Sequence, residues 1–261
     1  MTFVEHARAN GLIMTHAIAD SRWHRVKTTD KPNKRNGAYI FDGVRGLIKN
    51  WATMDRCLRW PDDGQTWIKA AILPDNTLLR NADASKLAQQ IIDRARLDRH
   101  PYLEKKGFPD VKGLVDDEEL IIPMRDFRNH DVLSVQKIKP DGQKKFLPGG
   151  RAKNAVFVFN RKSLKHGAWL VEGYATGLSV HHALQSAYWD VATMVCFSAG
   201  NLASVGRQLH KGWVFADNDA AGLRAAEESS LPWVTTDAGD ANDLHQRDGI
   251  FAVRRVLQSV R

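Results

Sequence analysis

Five carboxylates in the last third of the chain stand where chemistry is done, each group close behind a short apolar run. Glu172 follows Ala168-Trp169-Leu170-Val171, Asp217 and Asp219 follow Trp213-Val214-Phe215-Ala216, and Asp240 and Asp243 lie in Gly239-Asp240-Ala241-Asn242-Asp243. Hard oxygen donors gathered above the carboxyl edge of an open sheet suit a hard divalent cation. Such a cation organises phosphate chemistry, so these residues point to metal and nucleotide. Asp-x-Asp alone is weak evidence, because aspartate is a favoured helix N-cap. Acidic groups at three successive strand ends strengthen it. Gly173, after Glu172, permits a sharp turn and the approach of backbone N–H groups to an anion.

The elements that must position these groups alternate strand and helix. Apolar strands at about 168–171, 191–197, 212–216 and 232–235 are separated by helical stretches at 176–187, 201–209 and 220–229, and 241–260 reads as mostly helical. Connections this short predict a parallel sheet. From 118 to 160 the pattern is β, with strands at 120–124, 132–138 and 155–159 and a hairpin signal at Asp141-Gly142. The segment 144–151 reads as a basic loop carrying Lys144, Lys145 and Arg151. A helix is expected over 84–98, on Leu87, Ile91 and Ala95, and a second short one over 100–107. Residues 1–80 hold short strand candidates at 23–26, 37–41 and 46–48, with a basic loop at 31–37. The expected organisation is a β-rich module over 1–82, a basic α+β subdomain over 83–164 and an α/β domain over 165–261.

Composition narrows the class. The chain has 261 residues, 43% hydrophobic and 26% charged, as ordinary globular proteins do. No apolar run reaches the roughly 20 residues of a membrane span, and the start lacks a secretory h-region. Cytoplasm and no membrane partner are the expectation. Two cysteines, Cys57 and Cys196, support neither a disulfide framework nor a zinc site. The net charge of +8 is uneven: 165–261 carries 8 Lys+Arg against 10 Asp+Glu, so 1–164 holds an excess of ten cations. A basic surface beside an acidic site suits a protein that grips a polyanion with one part and acts on it with another.

The acidic constellation resembles the TOPRIM domain of bacterial-type primases, topoisomerases and certain nucleases. Glu172-Gly173-Tyr174-Ala175-Thr176, Asp217-Asn218-Asp219-Ala220-Ala221-Gly222 and Asp240-Ala241-Asn242-Asp243 fit that family's three motifs in order. Upstream, 100–107, Ile122-Pro123-Met124-Arg125-Asp126 and 144–151 are similar to the basic subdomain that precedes TOPRIM in primases of phages and conjugative plasmids, and 20–50 is also similar to sequence in that subgroup. The resemblance implies a Rossmann-like TOPRIM sheet and a primase that makes short RNA primers on single-stranded DNA from NTPs. Glu172, Asp217 and Asp219 would be catalytic. With Asp240 and Asp243 they would bind Mg²⁺ or Mn²⁺, while Arg125, Lys144, Lys145 and Arg151 would contact template or NTP phosphates. A TOPRIM nuclease and a non-catalytic nucleic-acid- or partner-binding TOPRIM protein are the alternatives. A topoisomerase is disfavoured by the chain's length and the lack of a separate tyrosine domain.

The chain departs from the primase pattern in carrying none of the Cys/His ligands of a zinc module and no Gly-x-x-x-x-Gly-Lys-Ser/Thr loop. No zinc is expected, and a separate helicase or zinc-binding protein is an expected partner. His181 and His182, adjacent on a helix, point in different directions and cannot jointly chelate. Cys196 reads as a core thiol, and Trp169, Trp213 and Trp233 as core residues of strands. Trp23, Trp51, Trp60 and Trp67 are left as candidates for stacking on bases.

Overall fold

The computed structural model describes residues 1–54, 56–62 and 77–260. It comprises two compact units, Met1–Pro74 and Asp75–Arg261. No helix among the described residues is long and apolar enough to cross a membrane. Trp67 lies outside the described residues.

In the first unit, a helix the sequence reading passed over, α1 (Phe3–Ala9), packs on a five-stranded sheet. Its capping box was there to be read: Thr2 accepts from the Glu5 N–H, and the Glu5 carboxylate accepts from the Thr2 N–H. The strands are β1 (Leu12–Ile13), β2 (His24–Thr28), β3 (Gly37–Phe41), β4 (Gly46–Asn50) and β5 (Leu58–Trp60), antiparallel and in sequence order. One face carries Leu12, Val26, Tyr39, Ile48, Leu58 and Trp60 against Phe3 and Ala7 of α1. Phe3 stacks on Phe41 with centroids 4.6 Å apart.

The second unit begins with α2 (Thr77–Arg94), followed by β6 (Arg96–Asp98). The helix thus ends short of the expected 98, and its buried stripe is Ala84, Ala88 and Ile91 rather than one through Leu87, which is 44% exposed. Three small or β-branched residues let α2 lie close against the sheet, so burial follows shape more than hydrophobicity. Arg94 grips Asp116 with two nitrogens, Nε to Oδ1 at 2.8 Å and Nη2 to Oδ2 at 2.7 Å. Next come α3 (Pro101–Lys105), β7 (Gly113–Asp116), β8 (Glu119–Asp126), β9 (Val132–Ile138), β10 (Lys144–Phe146) and β11 (Ala155–Phe159). The stretch read as a basic loop therefore starts as a strand: β10 pairs with β9 across the Asp141-Gly142 turn, with Lys144 opposite Ile138.

The remainder alternates as expected: β12 (Ala168–Val171), α4 (Tyr174–Ser186), β13 (Ala192–Val195), α5 (Ala199–Gly206), β14 (Gly212–Ala216), α6 (Ala220–Glu228), β15 (Trp233–Thr235), α7 (Ala241–Asp248) and α8 (Ile250–Gln258). Strand β12 pairs in parallel with β13 on one side and β14 on the other, and β14 pairs in parallel with β15. Near-continuous apolar strands are what a parallel sheet covered on both faces needs. Trp169 and Val171 face α4, α7 and α8, while Ala168 and Leu170 face α5 and α6. Cys196 is fully buried, as read; Trp233, on the edge strand β15, is 36% exposed rather than core.

Strand β11 pairs antiparallel with β8 at one end and with β13 at the other. The segments 83–164 and 165–261 consequently share one ten-stranded sheet.

Candidate metal and nucleotide site

The order β13-β12-β14-β15 sets the site. From β12 the chain leaves toward β13 through α4, and from β14 it leaves toward β15 through α6. Between the carboxyl ends of β12 and β14 the connections diverge, which opens a crevice at the switch point. Glu172 follows β12 and Asp217 follows β14, so they form its two rims. The strands are registered Leu170 to Val214, two and three residues before these carboxylates. Adjacent strands lie roughly 4.8 Å apart.

Asp240 joins them through a staple the sequence reading missed. The Asn218 N–H donates to Gly239 O at 2.9 Å, and Asn218 Nδ2 donates to Thr236 O at 3.0 Å and Asp237 O at 2.9 Å. The loop after β14 is thereby laced to the loop after β15. Asp219 Oδ1 caps α6 by accepting from Ala221 and Gly222 N–H, and Asp240 Oδ1 caps α7 by accepting from Asn242 and Asp243 N–H. Asp240 Oδ2 accepts from Thr176 Oγ1 at 2.9 Å. Gly222 is obligatory: a Cβ there would collide with the Asp217 carbonyl oxygen.

The carboxylates feel one another. Burial pushes Asp217 up to about 7, helped by the charges of Asp240, Glu172 and Asp219 and opposed by Lys144. Burial and then Asp219 raise Glu172, while Lys144 and a hydrogen bond from the Ala199 backbone N–H at the start of α5 act the other way. Lys144 itself is exposed by surface area yet crowded by neighbours. Desolvation, then Lys106, lowers it against the pull of Asp240, Asp217 and Glu172. Tyr102 lies beneath Lys144, whose Nζ is 5.8 Å from the ring centroid, and is pushed up to about 12 by burial and the charge of Asp240.

Lys106 and Tyr102, both missed by sequence reasoning, are brought in by α3. Asn242 Nδ2 donates to Lys106 O at 2.8 Å and Gln246 Nε2 to Lys105 O at 2.7 Å, docking α3 on α7. Lys105 Nζ reaches Pro140 O at 3.2 Å, tying α3 to the turn that leads into β10.

The other expected residues are placed differently. Asp243 is exposed and accepts the Asp240 N–H at 3.1 Å, completing the capping box of α7. Side chains alternate along β10: Lys144 and Phe146 share the face toward the acidic site, where Phe146 meets Phe197 edge-on at 6.2 Å. Lys145 takes the opposite face. Arg151 pairs with Asp126, and Arg125 Nη1 donates to His130 O at 3.3 Å. Structure therefore gathers Glu172, Asp217, Asp219, Asp240 and Lys144, and sets Lys145, Arg125 and Arg151 to other contacts. His181 stacks on Phe159 and is pushed down to about 4 by burial.

Oxygen-only donors match a hard cation. Among the described residues, no three His, Cys, Asp or Glu side chains converge into a ready ligand set. That is compatible with Mg²⁺, which commonly takes one or two carboxylates and completes its shell with water and substrate phosphates. Asp217 Oδ1 is buried without a hydrogen-bond partner, and such an orphan acceptor is costly unless a cation or proton joins it. On both counts the residues fit the ion.

No protein-family profile matches the chain. Among solved structures it is similar to the primase fragment of the bacteriophage T7 primase-helicase protein, at 20% identity and TM-score 0.46, covering 62% of this chain and 75% of that one. It is also similar to the RNA polymerase domain of Mycobacterium tuberculosis primase, at 16% identity and TM-score 0.41, covering 71% and 84%. Aquifex aeolicus primase, in its zinc-binding and RNA polymerase domains, is similar at 15% identity and TM-score 0.40, covering 70% and 57%. These are distant likenesses.

Proposed function

We propose that the chain is a primase-type nucleotidyltransferase that joins NTPs into short RNA primers on single-stranded DNA. The observation that carries this reading is Asp217: a carboxylate with an orphaned oxygen, at a sheet switch point, ringed by the charges of Glu172, Asp219 and Asp240 and faced by Lys144. The three motifs that resemble TOPRIM primases contain these four acids, in chain order.

Asp217 would hold Mg²⁺ or Mn²⁺ directly, with Glu172 and Asp219 acting through the ion's water shell. The bound ion would offset triphosphate charge and favour the 3′-oxygen as nucleophile. Asp219 and Asp240 each spend Oδ1 on a helix cap, and Asp240 Oδ2 accepts from Thr176. Lys144 would meet phosphate oxygens as their charge grows. Lys106 adds a second cation on that side, and Tyr102 forms an apolar floor beneath Lys144.

The test supplies labelled NTPs, circular single-stranded DNA and Mg²⁺ or Mn²⁺ to the wild type and to Asp217→Asn/Asp219→Asn. Labelled oligomers that fall at least about 100-fold in the double variant are expected. Oligomers made equally by both proteins overturn the assignment. Shortened template without NTP replaces it with a nuclease.

A further inference from the structure

One face of the N-terminal sheet is core; the other is basic and aromatic. Antiparallel register fixes its rows. Lys27 stands opposite Ile13, Arg25 opposite Ala38 and Ala38 opposite Lys49, and Leu47 opposite Arg59. Trp23 precedes Arg25 by two residues and Trp51 follows Lys49 by two, so both tryptophans flank the same face. They are 50% and 49% exposed. The Arg25 guanidinium carbon lies 4.0 Å from the Trp51 ring centroid. Ala38, the smallest side chain of its row, floors a cleft of about 360 Å³ bordered by Trp23, Arg25, Lys49, Trp51 and Cys57. Lys49 Nζ is held there by Met54 O at 2.7 Å. Among the described strand residues of this face there is no acid.

We propose that this face binds single-stranded nucleic acid, stacking bases on Trp23 and Trp51 and pairing phosphates with Arg25, Lys27, Lys49 and Arg59. Stacking demands bases whose faces are free, which a duplex denies. The cations extend past the cleft: Lys27 on β2 and Arg59 on β5 are three strand spacings apart, roughly 14 Å. Several linked phosphates fit such a track better than one nucleotide does. Two large exposed indoles beside unopposed cations supply both halves of what a single strand offers, π-faces and negative charge.

The surface belongs to the first unit and the acidic site to the second, so the two readings are tested on different residues and fail separately. Full-length protein in EDTA is titrated with labelled oligothymidylate, an abasic oligomer of equal length and the oligothymidylate duplex, with free thymidine monophosphate as competitor. Wild type should prefer the single strand. Trp23→Ala/Trp51→Ala should weaken it about tenfold or more, and bind the abasic oligomer unchanged. Trp23→Phe/Trp51→Phe should restore most of the affinity, which distinguishes lost stacking from lost fold. Asp217→Asn/Asp219→Asn should bind as wild type does. Cys57 is exposed and lines the cleft, whereas Cys196 is buried. Bound oligothymidylate should therefore slow alkylation of Cys57 by iodoacetamide. Equal affinity of wild type and the double alanine variant, or an unprotected Cys57 at saturation, overturns the proposal and leaves the face to a protein partner. Displacement by thymidine monophosphate at concentrations equal to the oligomer's overturns the single strand in favour of a nucleotide.

Discussion

Thr176 donates its hydroxyl to Asp240 across 64 residues of sequence, at 2.9 Å, and so ties the first turn of α4 to the cap of α7. Asp240 is in turn the largest of the charges that raise Asp217. A buried threonine thus orients the acid that, after burial itself, most raises its neighbour's proton affinity.

Thr176→Val should keep the shape and delete the donor. Under the proposed activity, primer synthesis should then need several-fold more Mg²⁺ for half-maximal rate, with a stability loss of about 1 kcal/mol. A metal titration and a urea melt measure the two separately. An unchanged metal requirement would mean that Asp240 needs no orientation.

Asp217 makes stability depend on pH. Its folded pKa, about 7, stands above the ordinary value of 3.8, so the native state holds the proton more tightly than the unfolded chain. Its contribution is fully present below about 3.8 and is lost as pH rises through about 7. Glu172, also raised, acts in the same direction. In EDTA, the wild-type Tm should fall across this window more steeply than that of Asp217→Asn. Adding Mg²⁺ at pH 8 should recover part of the wild-type loss and little of the variant's. Parallel Tm–pH curves would show that Asp217 titrates normally.

Lys144 and its neighbour Lys145 should separate. Lys144→Ala removes a cation that lowers both Asp217 and Glu172, so under the proposed activity it should shift the acidic limb of the rate–pH profile upward and cut kcat/KM for NTP about tenfold or more. Lys145→Ala, on the other face of β10, should leave that limb in place. Equal pH profiles for the two variants would contradict the facing deduced from strand alternation.

Asn201 is buried where strands and helix meet. Its Nδ2 donates to Ala155 O and Cys196 O, both at 2.8 Å, and its Oδ1 accepts from Asn154 N–H at 2.7 Å. Asn201→Ala strands two carbonyls and one N–H, and should cost about 2–4 kcal/mol in equilibrium unfolding. A loss under about 0.5 kcal/mol would mean that water replaces the amide.

What could be read from the residues was periodic. The parallel strands and their helices were legible because apolar runs and 3.6-residue repeats report burial directly, and the acids at their ends came with them. Elements whose cause is local polar chemistry were harder. The staple Asn218, the docking Asn242 and the orienting Thr176 act through single hydrogen bonds between distant segments, and no spacing announces them. Lys106 and Tyr102 reach the site only because α3 docks on α7. Leu87 illustrates the opposite error, a hydrophobic residue in step with a repeat but turned to solvent because smaller neighbours fit the sheet better. The capping box Asp240-x-x-Asp243 shows how one pattern serves two readings, ligand pair or helix start.

Strand β11 has a mechanical consequence. Because its hydrogen bonds run to β8 on one edge and to β13 on the other, the lysine-bearing hairpin and the acid-bearing loops are sewn into a single stiff fabric. A hinge that moved the hairpin against the acid-bearing loops would therefore have to break strand pairs.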